Sequence, residues 1–157
     1  MSEFIAVLEG EMSKLVLGYE FDRSHFDKNL PPDDFGWLSL AVTTKDFTGK
    51  GGFWVQWQDI VEFGKRLDAY PIKKNSQIEA QWGYDTQEGD DRILHICLSP
   101  KGPLGDLLAS VEIADPHNQS QRLNAAFRTT YAALDIFRSD IEKLMSGDCE
   151  EATLHGV

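Results

Sequence analysis

Apolar and polar side chains alternate along most of the first half of the chain, and a period of two predicts strands. Phe4, Ala6 and Leu8 alternate with Ile5 and Val7 before the Glu9-Gly10-Glu11 stretch. Leu15, Leu17, Tyr19 and Phe21 form a second series, with Gly18 and Glu20 facing the other way. A polar loop follows over 22–34, closed by Pro31 and Pro32, which lack the amides a ladder needs. Over 35–44 the strand pattern returns, with Leu38, Leu40 and Val42 on one face and Trp37, Ser39 and Ala41 on the other. A turn is expected at Thr48-Gly49-Lys50-Gly51, leading into a strand from Gly52 to Gln56.

The period then lengthens. Ile60, Phe63, Gly64, Leu67 and Tyr70 fall on one stripe of a helix. Asp59 and Glu62 are spaced as a capping box, and Pro71 is expected to end the helix. Strand periodicity resumes with Ile78, Ala80, Trp82 and Tyr84, followed by an acidic turn over 85–91. Ile93 to Leu98 is almost continuously apolar and reads as a central strand buried on both faces. A Pro- and Gly-rich loop over 99–106 joins it to Leu107, Ala109, Val111 and Ile113.

Leu123, Ala125, Phe127 and Thr129 alternate with polar or small residues, whereas Leu134, Phe137, Ile141 and Leu144 recur at helical spacing. A strand to Thr130 and a helix from Ala132 to Met145 fit this pattern, the Thr129-Thr130-Tyr131 run marking the break. One long helix from Ser120 is the alternative, favoured by the alanines. The expected fold is α+β: a mainly antiparallel sheet of about eight strands, curled or split in two, with one inserted and one C-terminal helix. Residues 1–147 are expected to form a single domain and 148–157 a flexible tail. No internal repeat stands out, although both halves run strands into a helix.

Composition changes this picture little. A chain of 157 residues with 41% hydrophobic and 26% charged residues can build a core without disulfides or metal. Charge changes it more. The net charge of −11 predicts repulsion of phosphate backbones and of anionic membrane surfaces, so nucleic acid and membrane are excluded as expected partners. A basic protein would be attracted, although net charge also serves solubility. No stretch reaches the ~20 apolar residues that span a bilayer, and Met1 to Glu11 lacks the basic and apolar regions of a signal peptide. Cys97 lies in an apolar strand pattern and Cys149 in a polar segment, so a cytoplasmic protein without disulfides is expected.

Catalytic chemistry finds no motif. No two of His25, His95, His117 and His155 have zinc-protease spacing. His95 alternates with Ile93 and Cys97, where a structural histidine and a buried acid–base group are both open readings. Asp85, Glu88, Asp90 and Asp91 surround Gly89 but lack the ligand spacing of a calcium loop, and read as a solvated turn. There is no nucleophile elbow, no Cys-x-x-Cys and no phosphate-wrapping glycine loop. No catalytic residue, cofactor or metal is therefore expected.

Aromatic residues concentrate in the strand-rich segments. Trp37, Trp54, Trp57 and Trp82 suit either a core or a binding face. Trp54, opposite Phe53 and Val55 on its strand, is the candidate for exposure. The expected binding surface comprises Trp54, Trp57, Trp82, Asp85, Glu88 and Asp90.

The stretch from Gly52 to Phe63, in which a strand runs into a helix, resembles small bacterial proteins of uncharacterised families. The order of strand, strand and helix from Leu107 to Leu144 does so too. Some of those proteins are similar to WapI-type immunity proteins, which neutralise contact-delivered toxins. The resemblance carries no catalytic motif and implies a cytoplasmic binding protein, consistent with an acidic surface facing a basic toxin. The leading expectation is a non-enzymatic protein that binds a basic protein, as monomer or homodimer. A small enzyme or small-molecule-binding domain with a dispersed site near His95 is the alternative, and a purely structural role the third.

Overall fold

Alternation gives every strand of this chain one apolar face, and the fold is the arrangement that hides those faces together. The computed structural model describes residues 13–84, 92–102 and 105–157. The strand expected over 4–8 and the acidic turn over 85–91 lie outside the described residues.

The architecture is α+β, with eight antiparallel strands split into two four-stranded sheets. Strands β1 (Lys14–Glu20), β2 (Phe35–Thr43) and β3 (Thr48–Gln56) run directly into helix α1 (Trp57–Arg66). Strands β4 (Ile78–Gly83), β5 (Arg92–Lys101), β6 (Asp106–Ala114) and β7 (Arg122–Thr130) run into helix α2 (Tyr131–Met145). A last strand, β8 (Glu151–His155), returns to the first sheet. The sheet orders are β3-β2-β1-β8 and β4-β5-β6-β7. Each half is thus a four-strand meander feeding a helix, with the first strand of one meander supplied from the far end of the chain.

That last strand replaces the expected tail. Ala152 and Leu154 are fully buried, and β8 pairs with β1 from Glu151 opposite Gly18 to His155 opposite Lys14. The Thr129 hydroxyl, itself fully buried, donates to the His155 carbonyl at 2.8 Å and ties the two sheets together. Two alternating apolar residues are a short signal, and their partner strand lies more than a hundred residues away in sequence.

The inner faces share one core. Leu15, Leu17, Leu38, Leu40 and Val42 come from the first sheet, and Ile96, Leu98, Leu107, Ala109 and Val111 from the second. The helices add Ile60, Phe63, Leu134, Phe137, Ile141 and Leu144. A methyl at Gly64 would reach within 2.9 Å of the Ile141 side chain, so the glycine lets the two helices pack closely. Strand β3 touches β4, β5 and β6, and there the sheets meet. Their approach explains why residues 48–51 are strand where a turn was expected. Gly49 and Gly51 point inward, and a side chain on either would collide with Leu123 or Ile113. The turn sits one step earlier, where Thr44 donates its amide to the Phe47 carbonyl.

Helix α1 starts without the expected capping box. It follows β3 so closely that Gln56 is the cap residue, with no side-chain bond, and the Trp57 amide donates to the Asp34 carbonyl instead. It also ends before Pro71, in a tightening turn of i to i−3 bonds at Leu67, Asp68 and Ala69. At α2, the strand reading of 122–130 holds, and the Thr130 hydroxyl caps the helix by accepting from the Ala133 amide at 3.1 Å.

Candidate functional site

The pairing register fixes which side chains share the outer face of the first sheet, the one turned away from the core. Inward residues alternate with outward ones on each strand, and paired outward residues line up in rows. The first row is Trp54, Trp37 and Glu20. The next is Gly52, Ser39, Gly18 and Glu151. Then come Lys50, Ala41, Val16 and Thr153, and finally Thr48, Thr43, Lys14 and His155. The face therefore has aromatic rings at one end, a floor of glycine and small side chains in the middle, and two lysines towards the other end.

Its aromatic end is exposed. Trp54 is 61% exposed, and Phe35, outward on β2 beside Trp37, is 48% exposed. Trp37 and Trp54 meet edge to face with centroids 5.2 Å apart. A methyl at Gly52 would lie 2.6 Å from atoms of the Trp37 ring, so the missing side chain is what lets this indole lie down on the sheet. The result is a low, ring-covered surface with Trp54 standing at its edge.

A groove of about 550 Å³ adjoins these rings. Gly18, Glu20, Trp37, Ser39, Glu150 and Glu151 contribute to its lining. Its charged side chains are all carboxylates, so it offers hydrogen-bond acceptors to whatever enters.

The remaining sequence candidates do not join this face. Trp57 opens α1 and packs edge-on against His25, whose ring is stacked on Phe21 at 4.1 Å. His25 is therefore half-buried in an aromatic cluster. Trp82 is half-buried and packs against Phe63 of the core. Asp85, Glu88 and Asp90 lie outside the described residues.

His95 sits on the outer face of the second sheet. Trp82 pairs with Leu94 and Gly83 with Arg92, which leaves Ile93 as an extra residue in a bulge. The bulge buries Ile93 and Leu94 consecutively and turns His95 and Cys97 outward. The strand expected to be buried on both faces is thus deeply buried on one. A His95 ring nitrogen shares a 2.6 Å hydrogen bond with Glu79. The Cys97 thiol donates to Gln77 at 2.9 Å, and burial, with Glu79 nearby, pushes its pKa up, away from thiolate chemistry. The neighbouring Glu112 is held by Arg92 and Arg122. Each ionisable group here already has a partner. Among the described residues no group of three or more His, Cys, Asp or Glu side chains is placed to hold a metal ion, and no helix is long and apolar enough to cross a membrane.

What the rows on the first sheet reveal was hidden in the sequence by the register. Glu20, Trp37 and Trp54 are far apart along the chain, and only strand pairing aligns them. The alternation did place Trp54 opposite Val55, which is the one local signal pointing to this face.

No protein-family model and no curated protein matches the chain. Among solved structures it is similar to the crystal structure of WHY3 from Arabidopsis thaliana, at 14% identity and a TM-score of 0.47, covering 85% of this chain and 81% of that one. Two expectations are corrected here. WHY3 is unrelated to the WapI-type immunity proteins. Neither the immunity-type protein-binding role nor its alternative near His95 is retained, and the exclusion of nucleic acid is withdrawn on the distribution of charge over the molecule. The exclusion rested on net charge, which is a sum over the molecule and does not fix the charge of one face. The outer face of the first sheet carries Lys14 and Lys50 against Glu20 and Glu151. At this identity and score the likeness assigns no ligand and no residue role to this chain.

Proposed function

We propose that this protein is a non-catalytic binding module that holds single-stranded nucleic acid on the outer face of its first sheet, chiefly by base stacking. One observation carries the reading: exposed Trp54 and half-buried Trp37 stand in one row beside exposed Phe35, on a sheet face with a floor of small residues. Flat bases stack on such rings whatever their sequence, each stacked base contributing ~1–3 kcal/mol. The small floor lets the strand lie close to the sheet. Lys50 lies four residues from Trp54 along β3, a span of about 13 Å, and Lys14 lies in the row beyond it. These two cations suit the phosphates of a strand whose bases rest on the rings. The unpaired Cys97 and Cys149 suit a reducing cytoplasm.

A face with two lysines makes an unusual demand on the salt dependence. Counterion release from two phosphate contacts gives a slope of log K against log salt of about −1.4, shallow for a nucleic-acid binder. The test is a titration with short single-stranded oligonucleotides, followed by tryptophan fluorescence at several salt concentrations. Trp54→Ala should weaken binding about tenfold or more while leaving the fold intact, and His95→Ala should leave binding unchanged. No binding even at low salt, or equal affinity in Trp54→Ala, would sink the proposal.

A further inference from the structure

We infer that Glu20 gives this face a preference among bases, favouring those with an exocyclic amino group. The inference rests on the stacking reading above and adds a specificity to it. Glu20 is directly opposite Trp37 in the ladder and on the same outer face, so it borders any base stacked on that indole. Its side chain is exposed and lines the groove next to the rings. The groove presents the acceptors of Glu20, Glu150 and Glu151 and is lined by no Lys or Arg.

An ionised carboxylate can accept hydrogen bonds and cannot donate one. Of the groups on base edges, the amino groups N4 of cytosine, N6 of adenine and N2 of guanine are donors with two hydrogens, and glutamate pairs with the cytosine amine in known base readout. Thymine and uracil offer carbonyl oxygens on both sides of a single N–H, so a carboxylate next to them faces acceptors. A base reaching past Trp37 therefore meets attraction where its edge presents an amine and repulsion where it presents a carbonyl. The same carboxylates disfavour phosphate at this end of the face, which leaves the backbone to the Lys14 and Lys50 end.

Affinities for oligo(dC), oligo(dA) and oligo(dT) of equal length, measured by fluorescence titration, test this. The wild-type protein should bind oligo(dC) and oligo(dA) about tenfold more tightly than oligo(dT), the worth of one hydrogen bond to a charged group. Glu20→Ala should bring that ratio close to one. Glu151→Ala is the control, because it removes the same charge from the same face one row away, and should raise all three affinities alike while keeping the ratio. The inference is overturned if Glu20→Ala also raises all three alike with the ratio intact, or if the wild type shows no base preference. Failure of every oligonucleotide to bind would instead overturn the stacking reading itself, and this inference with it.

Discussion

Tyr19 shows how a single polar atom is accommodated in the core. Its ring is almost wholly buried, and its hydroxyl donates to the Val55 carbonyl at 2.6 Å, joining β1 to the end of β3. Burial, the largest influence, pushes its pKa up from 10.0 to about 12, with Asp59, Asp33 and Asp34 adding to the rise. A raised folded value means that the neutral phenol is favoured by folding. Its contribution to stability is full below pH 10 and is lost as the pH climbs through about 12. In a titration of phenolate absorbance, one of the four tyrosines should ionise late, near pH 12, and Tyr19→Phe should remove that late step. Titration of all four near the ordinary value would contradict the burial of this hydroxyl. Gly52 teaches the complementary lesson. Its absent side chain seats the Trp37 ring, an effect that no property of glycine in isolation announces.

Elements were legible in the sequence where their pattern was long and local. The alternation of β2 and β6 and the apolar stripe of α2 could be read directly, because each buries one face against a common core. The misreadings came from contacts distant in sequence. Glycines 49 and 51 look like a turn until β6 and β7 are laid against them. The apolar run at 93–98 looks buried on both faces until a bulge accounts for two consecutive buried residues. Strand β8 is the largest case, since five residues after a helix carry almost no pattern of their own. Its role predicts a clear outcome. Deleting residues 148–157 would expose the β1 edge, remove buried Ala152 and Leu154 and break the Thr129–His155 bond. A loss of at least about 3 kcal/mol in urea unfolding is expected from those terms together. A change within about 0.5 kcal/mol, as for an exposed tail, would contradict the pairing.

At the scale of the molecule, the two sheets turn unlike outer faces to solvent. The second presents satisfied pairs, His95 with Glu79 and Glu112 with its two arginines. The first presents exposed rings, a small-residue floor and a balanced pair of lysines and glutamates on a protein whose net charge is −11. Composition could report that sum and could not report its distribution. The site was legible only as one exposed tryptophan, because the rest of it exists through the register of β1, β2 and β3.

The most direct test is to map the binding face by backbone amide chemical shifts, adding a single-stranded oligonucleotide to isotopically labelled protein. The stacking account predicts shifts confined to β1, β2 and β3, strongest at Phe35, Trp37, Trp54 and Glu20, with the indole N–H signals of Trp37 and Trp54 moving and those of Trp57 and Trp82 still. Shifts centred on the second sheet around His95 and Cys97, or no shifts at all under saturating oligonucleotide, would contradict it.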